Sequence, residues 1–270
     1  MLHLFLLLVL NPVFFEHVHG ERQWDHFVFS LEWPPTYCFI QTCKLPYSIN
    51  DFNIHGLWPS IWPHIEPKNC SNRTPFRIEL IKPIYNDLQK QWANLIDFDN
   101  PEDFWKHEWS KHGVCAISDH PFISNELDYF NISLAIKSKV NLLSRLESVS
   151  ITPNNLVTLK RDMLLDQLKN LFSVNVLIYC SLRKHEPGRL SEIRICLNPS
   201  LEFIDCPISS ANKINDQQFS NHFYKTIYSH SVCKSLLPWL YQSPICLNQP
   251  STKLSNNVPC PEELIFPKFN

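Results

Sequence analysis

Ten cysteines behind an apolar N-terminal segment constrain this chain of 270 residues more than any other feature. Residues 1–20 are mostly leucine, valine and phenylalanine, but Asn11 and Pro12 break the run, which is shorter than the roughly 20 residues of a membrane span. We interpret residues 1–20 as a signal peptide, with an uncleaved anchor as the alternative. Cysteines in an exported chain predict a disulfide framework. A reduced metal-binding set fits poorly, because no Cys-x-x-Cys pair occurs.

Length and composition predict one soluble domain with a short tail. The roughly 250 residues after the leader can bury a substantial core, and we place this domain at residues 21–245. Residues 246–270 are rich in Pro, Asn and Ser and are interpreted as a C-terminal extension. The net charge is only −2, so no overall positive field attracts polyanions. Any contact with phosphate must come from a local cluster.

Three Asn-x-Ser/Thr sequons predict glycosylation. They begin at Asn69, Asn72 and Asn131, whereas Pro199 blocks the sequon of Asn198. We expect glycans at Asn69 or Asn72 and at Asn131.

Local patterns predict an α+β fold. Residues 26–33 and 52–58 are rich in aromatic and β-branched side chains and are bounded by Pro and Asn, which is typical of strands. Asn100 and Pro101, followed by two acidic residues, begin a helix that we expect to end at Gly113. Further helices are expected over residues 75–96, 126–148 and 153–172, and further strands over residues 174–180, 191–197 and 201–206.

Two short stretches combine histidine with tryptophan. Residues 52–59 read Phe-Asn-Ile-His-Gly-Leu-Trp-Pro, and residues 107–115 read His-Glu-Trp-Ser-Lys-His-Gly-Val-Cys. At about 100° per residue, four side chains of the second stretch share one helix face: His107, Glu108, Lys111 and His112. A solvated charged face is the ordinary alternative, but two histidines beside several aromatic residues are unusual there. We therefore interpret the stretch as a functional site.

A zinc site is the sharper alternative for the second stretch. The zinc helix motif is His-Glu-x-x-His, with its two histidines four residues apart. In this chain Lys111 occupies the position of the second ligand, and His112 follows one residue later. Because a cation between the ligands opposes Zn²⁺ binding, we expect no metal and no other cofactor.

The side chains of the two stretches suit cleavage of RNA by its own 2′-OH. One histidine can remove the 2′ proton while the other protonates the departing 5′ oxygen, and a cation can stabilise the negatively charged phosphorane. His55 precedes Gly56, which permits close approach of the backbone, and Trp58 offers a flat surface for a base. Taken alone, His55 or Trp58 would more often be structural. The expected product is a 2′,3′-cyclic phosphate, so DNA should not be cut.

The same stretches resemble the two active-site segments of the ribonuclease T2 family, which comprises secreted and vacuolar or lysosomal endoribonucleases. Residues 31–38, Leu-Glu-Trp-Pro-Pro-Thr-Tyr-Cys, resemble an early segment of that family, and the similarity extends from about residue 24 to residue 233. The resemblance implies an α+β fold with a central antiparallel sheet, flanking helices and disulfide bonds. It also implies that the substrate is single-stranded RNA.

The resemblance assigns roles to seven side chains: His55 as general acid, His112 as general base, His107 as phosphate ligand, Glu108 and Lys111 as groups that polarise the phosphoryl oxygens, and Trp58 and Phe104 as the two base-binding rings. Departures from the family pattern occur at three other positions, one of which is Val114, where Thr is usual. Ser60 stands where many members have Asp in the base pocket, so base preference does not carry over. Glu32 replaces a common Gln.

The resemblance also implies four disulfide bonds: Cys38–Cys43, Cys70–Cys115, Cys180–Cys233 and Cys196–Cys206. Cys246 and Cys260 fall outside the family pattern, and we expect them to pair with each other, with an intermolecular bond as the alternative.

The sequence as a whole therefore predicts a secreted, metal-independent endoribonuclease without stable membrane insertion. It does not define the oligomeric state, for which a monomer is favoured. A lysosomal or vacuolar location is the alternative to secretion. The second function class is a secreted glycoprotein effector, cytotoxic or immunomodulatory, that binds glycan receptors on target cells and acts partly without RNA cleavage. A cell assay of a variant at His55 or His112 would separate the two classes.

Overall fold

The computed structural model describes residues 23–46, 48–63, 66–67, 70, 74–117, 120–183, 186–207 and 255–269. Its helices are α1 (Pro34–Ile40), α2 (Ile78–Ile81), α3 (Tyr85–Gln91), α4 (Glu102–Glu108), α5 (Val114–Ile117), α6 (Glu126–Val140), α7 (Leu142–Ser148) and α8 (Arg161–Phe172). A 3₁₀ turn (Lys82–Ile84) joins α2 to α3, and a π-helical turn (Trp109–Gly113) joins α4 to α5. The strands are β1 (His26–Glu32), β2 (Asn53–Ser60), β3 (Asn154–Lys160), β4 (Leu177–Leu182), β5 (Gly188–Leu197), β6 (Phe203–Ile204), β7 (Ser255–Pro259) and β8 (Glu263–Phe266).

These strands form one sheet. Its main order is β2-β1-β5-β4-β7, and every neighbouring pair in that order is antiparallel. β6 pairs with β5, and β8 pairs with β3 antiparallel and with β5 parallel. The expected α+β fold with a largely antiparallel sheet is confirmed.

Side chains of β1 alternate between two buried faces of the sheet. Phe27, Phe29 and Leu31 enter the main hydrophobic core. Ser30 and Glu32 lie on the opposite face and are 0% and 7% exposed, although both are polar. Because buried polar groups need hydrogen-bond partners, this second face of the sheet is where a functional network is expected.

Buried tryptophans hold the backbone of both motif segments. Trp92 Nε1 donates a hydrogen bond to the carbonyl oxygen of His55 at 3.1 Å, and Trp24 Nε1 donates to that of Cys115 at 3.1 Å. Trp105 Nε1 donates in turn to the carbonyl oxygen of Trp92 at 2.7 Å. A buried indole N–H requires such a partner, so these rings fix the two segments to the core while filling it.

The disulfide framework agrees with the expected one at three bonds and differs at the fourth. The bonds present as expected are Cys38–Cys43, Cys70–Cys115 and Cys196–Cys206. Cys180 is bonded to Cys260, with the two Cα atoms 4.8 Å apart, so the expected pairs Cys180–Cys233 and Cys246–Cys260 are wrong. The reason is strand pairing, because Cys180 of β4 lies opposite Val258 of β7, just before Cys260. Cys233 and Cys246 lie outside the described residues.

Residues 255–269 belong to the folded sheet, although the sequence suggests an extension over residues 246–270. They supply β7 and β8. Leu264 and Phe266 of β8 are buried to 0% and 1% exposure in the main core. The last part of the chain therefore contributes to the core and is not an appendage.

The helix expected over residues 153–172 begins later than the sequence suggests. Only Arg161–Phe172 is helical, and the residues before it form β3. Thr158 of β3 pairs with Ile265 of β8, so this strand depends on a partner from the far end of the chain. A local pattern cannot reveal such a partner.

Some expectations fall outside the described residues, namely the signal peptide at residues 1–20 and the sequons of Asn69 and Asn72. Asn131 lies on α6 and is exposed, so a glycan can be accommodated there. Within the described ranges, each helix is too short or too polar to cross a membrane.

Candidate active site

His55 lies at a β-bulge. Ser30 and Leu31 of β1 are consecutive, yet they pair with Gly56 and Ile54 of β2, so His55 is an extra residue without a partner on β1. A bulge interrupts the alternation of faces and re-aims one side chain. Ile54 remains in the core at 0% exposure, whereas the side chain of His55 is 30% exposed. The bulge thus directs the histidine out of the core.

The second motif folds as α4 followed by the π-helical turn, in which a backbone hydrogen bond spans five residues. Glu108 and His112 are buried, at 2% and 5% exposure. The side chain of Lys111 is 46% exposed, and His107 is exposed. The four side chains predicted to share one face therefore separate into two inner groups and two groups at the rim.

Trp58 joins the two motifs. Its Nε1 donates a hydrogen bond to Glu108 Oε2 at 2.9 Å. Its ring centroid lies 5.0 Å from that of His55, edge-on, and 5.4 Å from that of His112. The ring predicted to stack on a base therefore also packs against the two histidines predicted to transfer protons.

Gly56 makes the contact between Trp58 and Glu108 possible. A Cβ atom built on Gly56 would overlap both Trp58 Nε1 and Glu108 Oε2. Any larger residue must therefore displace the indole or the carboxylate. Close approach is the reason for glycine here, in agreement with the expectation from the sequence.

Glu192 of β5 is a part of the site that the sequence did not reveal. Its carboxylate oxygen Oε1 accepts a short hydrogen bond from His55 Nδ1, and its side chain is 1% exposed. Its other oxygen accepts hydrogen bonds from Arg194 Nε at 2.8 Å and Nη2 at 2.5 Å. The available signal was the alternation of charged and apolar residues along β5, which places Glu192 and Arg194 on one face.

The two histidines have opposite protonation preferences. Burial, the largest effect, lowers the pKa of His55, but the charge and hydrogen bond of Glu192, together with Glu32 and Glu108, outweigh it and raise this pKa to about 9. Burial lowers the pKa of His112 to about 3, aided by the positive charges of Lys111, His55 and His107. Between about pH 3 and pH 9, His55 is therefore charged while His112 is neutral.

Two buried carboxyl groups near the histidines have raised pKa values. Burial raises the pKa of Glu108 to about 7, although the charge of His55 and the hydrogen bond from Trp58 oppose this. Burial likewise raises the pKa of Glu32 to about 7. Asn53 Nδ2 donates a hydrogen bond to Glu32 Oε1 at 2.8 Å. Both carboxyl groups are mostly neutral in acid and ionise near neutrality.

Lys111 occupies the rim of the site with a carboxylate partner. Its Nζ lies 3.1 Å from Glu66 Oε1, and both side chains are largely exposed, at 46% and 62%. An exposed ion pair of this kind is weak. A phosphate can therefore replace Glu66 as the partner of the ammonium group at little cost.

Phe104 of α4 lies on the His55 side of the site, with its ring centroid 6.4 Å from the imidazole. The structure thus brings together His55, Trp58, Phe104, Glu108 and His112, with Lys111 at the rim and His107 exposed nearby on the same helical segment. Among the described residues, no group of three or more His, Cys, Asp or Glu side chains is arranged to hold a metal ion.

Comparison with known proteins places this geometry in one family. The model of the Ribonuclease T2 family matches residues 24–206. Ribonuclease Oy of Magallana gigas is 32% identical over 214 residues, which cover 78% of this chain and 100% of that protein. Extracellular ribonuclease LE of Solanum lycopersicum is 30% identical over 220 residues, covering 78% and 92%. The structure of ribonuclease MC1 from bitter gourd seeds has a TM-score of 0.60 and 29% identity, covering 68% of this chain and 94% of that one. A mutant of ribonuclease MC1 in complex with 5′-UMP matches with a TM-score of 0.60 and 28% identity, covering 68% and 93%.

Proposed function

This chain belongs to the ribonuclease T2 family and is an endoribonuclease, and from that premise we propose how its residues cleave RNA. The substrate is single-stranded RNA, and the reaction is metal-independent transfer of the phosphoryl group to the 2′ oxygen. The observation that carries the proposal is the opposite protonation preference of His55 and His112, whose rings both lie against Trp58. One neutral and one charged imidazole are what a concerted proton transfer requires.

His112 acts as the general base. Its neutral imidazole takes the proton from the 2′-OH, and the 2′ oxygen then attacks the adjacent phosphorus. His55 acts as the general acid and gives a proton to the departing 5′ oxygen, so the P–O5′ bond breaks and a 2′,3′-cyclic phosphate forms. Because His55 Nδ1 is engaged by Glu192, the proton for the leaving group comes from Nε2. The chemistry excludes DNA, which lacks the 2′-OH.

The remaining site residues stabilise charge and hold the bases. Lys111 at the rim supplies positive charge to the phosphate and His107 binds it, while Glu108, protonated in acid, donates a hydrogen bond to a phosphoryl oxygen. Trp58 and Phe104 both lie near His55, at 5.0 Å and 6.4 Å between ring centroids, and these two aromatic rings support two base sites near the cut. The complex of a ribonuclease MC1 mutant with 5′-UMP also supports a nucleotide site in this fold.

The test of this function is cleavage of RNA and DNA of the same sequence by the purified protein, with and without EDTA. We expect RNA cleavage with a cyclic phosphate product, no loss in EDTA and no cleavage of DNA. Loss of activity in EDTA would overturn the metal-independent mechanism, and equal cleavage of DNA would overturn the role of the 2′-OH.

We also propose that the protein is exported after removal of residues 1–20 and is glycosylated at Asn131 and at Asn69 or Asn72. The leader, the disulfide framework and the extracellular relative support this proposal. N-terminal sequencing of the protein from culture medium should begin near residue 21. Treatment with a peptide N-glycosidase should lower its mass, and an unchanged mass would contradict glycosylation.

A further inference from the structure

We propose that Glu192, clamped by Arg194, is the positioning residue of the proton donor: it holds the His55 ring so that Nε2–H faces the leaving group. This inference rests on the proposed function, in which His55 is the general acid. It adds a role for two residues on β5, outside both motif segments.

The contacts of Glu192 leave its carboxylate no freedom to turn. One oxygen accepts the hydrogen bond of His55 Nδ1, and the other accepts two hydrogen bonds from the Arg194 guanidinium, at 2.8 Å and 2.5 Å. The side chain is 1% exposed, so water does not compete for either oxygen. Hydrogen bonds between a guanidinium and a carboxylate are charge-assisted and therefore strong. The position of Glu192, and through it that of His55, is therefore set by the sheet.

The bulge explains why His55 needs this support. As the extra residue of β2, it has no partner on β1 that could define its direction. Ser30, which pairs with both Gly56 of β2 and Arg194 of β5, carries a small side chain at this point of β1. Side chains of β5 can therefore reach across β1 to a residue of β2. A side chain of β5 thus supplies the contact that His55 lacks on β1.

Arg194 also connects this support to the base site. Its guanidinium carbon lies 4.2 Å from the ring centroid of Tyr179 and 5.0 Å from that of Trp58. One cation therefore holds the carboxylate bonded to His55 and packs against the Trp58 ring that lies near both histidines. Movement of Arg194 would displace the proton donor and the base platform together.

Several charged groups face His55 from the elements around it. Glu192 and Arg194 lie on β5, Glu32 on β1 and Glu108 on α4. His112, on the π-helical turn, adds a further group. Glu192 is the largest of the charges that keep the pKa of His55 at about 9. Removing its charge should therefore lower this pKa toward the ordinary value or below it.

The first test uses leaving groups of different quality. Glu192→Gln and the wild type are compared on an RNA dinucleotide and on the matching nucleoside 3′-(4-nitrophenyl phosphate), whose leaving group departs without a proton. We expect kcat on the dinucleotide to fall about 10- to 100-fold, as part of what a general acid contributes, and at most about threefold on the nitrophenyl ester. KM should change little, because Glu192 does not face the substrate. An equal fall on both substrates would overturn the proposal.

The second test is the pH dependence of the ratio of wild-type to variant kcat/KM on the dinucleotide. The charged form of His55 is lost as pH rises through its pKa. If Glu192→Gln returns that pKa from about 9 to 6.5, the ratio should rise about 30-fold between pH 5 and pH 8. On the nitrophenyl ester the ratio should stay flat. A flat ratio on both substrates would overturn the proposal.

Two further variants serve as controls. Glu126→Gln removes another fully buried carboxylate bonded to an arginine, Arg77, and should leave both ratios unchanged. Glu192→Asp keeps the charge with a shorter side chain, so a partial loss confined to the dinucleotide is expected. Circular dichroism shows whether Glu192→Gln folds. If it does not, Glu192→Asp is compared on the two substrates instead, and an equal loss on both would overturn the proposal. A wild type that does not cleave RNA would instead refute the proposed function itself.

Discussion

We expect RNA cleavage to be fastest in acid, and Glu108→Gln tests whether Glu108 is the cause. Glu108 is 2% exposed, and its pKa is raised to about 7, so its carboxyl group is neutral in acid and can donate a hydrogen bond to a phosphoryl oxygen. Above pH 7 it becomes an anion that repels the phosphate. Glutamine keeps a neutral donor at every pH and also keeps an oxygen for the hydrogen bond from Trp58, which is 2.9 Å long in the native protein.

The expected magnitude follows from the fraction of neutral Glu108. With a pKa of about 7, about 99% of the carboxyl groups are neutral at pH 5 and about 9% at pH 8, so wild-type kcat/KM should fall about tenfold over that range. His55, with a pKa of about 9, remains about 90% charged at pH 8 and adds little to the fall. Glu108→Gln should therefore lose most of the pH dependence.

The assay is cleavage of one RNA dinucleotide from pH 4 to pH 9 at constant ionic strength, analysed as kcat/KM, which reports the pKa values of the free enzyme. Glu126→Gln, which changes a buried carboxylate bonded to Arg77, is the matched control and should retain the wild-type profile. A tenfold fall that persists in Glu108→Gln would refute the assignment of the acid preference to Glu108.

Three further predictions concern the chemistry and the fold. His112→Ala should reduce the initial rate of RNA cleavage by about 10²–10⁴-fold, because a general base is lost. Lys111→Arg keeps a cation and should retain measurable activity. A lower rate for Lys111→Arg than for His112→Ala would contradict the proton-transfer role of His112. Trp58→Ala should raise KM, because about 1–3 kcal/mol of base stacking is lost. It should also lower kcat, because the ring packs against both histidines. An unchanged kcat would show that Trp58 contributes to substrate binding alone. Replacing Cys180 and Cys260 by Ser opens a loop with a sequence separation of 80. The free energy of unfolding, measured in urea, should fall by about 4.5 kcal/mol. Non-reducing peptide mapping of the native protein that lacks a peptide pair joined by these cysteines would contradict the pairing.

The sequence predicted which side chains lie together in the candidate site, because they are concentrated in two short stretches. A histidine beside glycine and tryptophan, and a helix carrying two histidines, a lysine and a glutamate, identify chemistry without knowledge of the fold. The sequence did not predict how they are presented. The β-bulge at His55 depends on the register between β1 and β2, and the π-helical turn changes the angles between Glu108, Lys111 and His112 from those of a regular helix.

Long-range pairing accounts for most of the remaining differences. β3 and β8 depend on each other, and Cys180 finds Cys260 because β7 lies beside β4. Neither pairing leaves a local signal, since a strand with an unrecognised partner looks like an irregular segment. The contact between Glu192 and His55 was missed for the same reason, because Glu192 lies on a strand far along the chain from His55.

Three buried glutamates show why residue type alone could not give the electrostatics of the site. Glu32, Glu108 and Glu192 are exposed to 7%, 2% and 1%, so burial raises the pKa of each. Only Glu192 receives a guanidinium and an imidazolium, which lower its pKa to about 2 against that burial. Glu32 and Glu108 receive neutral donors, from Asn53 and Trp58, and their pKa values stay near 7. A neutral donor satisfies a buried carboxyl group without ionising it, whereas two cations ionise it fully. The site therefore holds a permanent anion against His55 and a titrating acid against Trp58, and the charges of Arg194 and His55 on Glu192 make the difference between them.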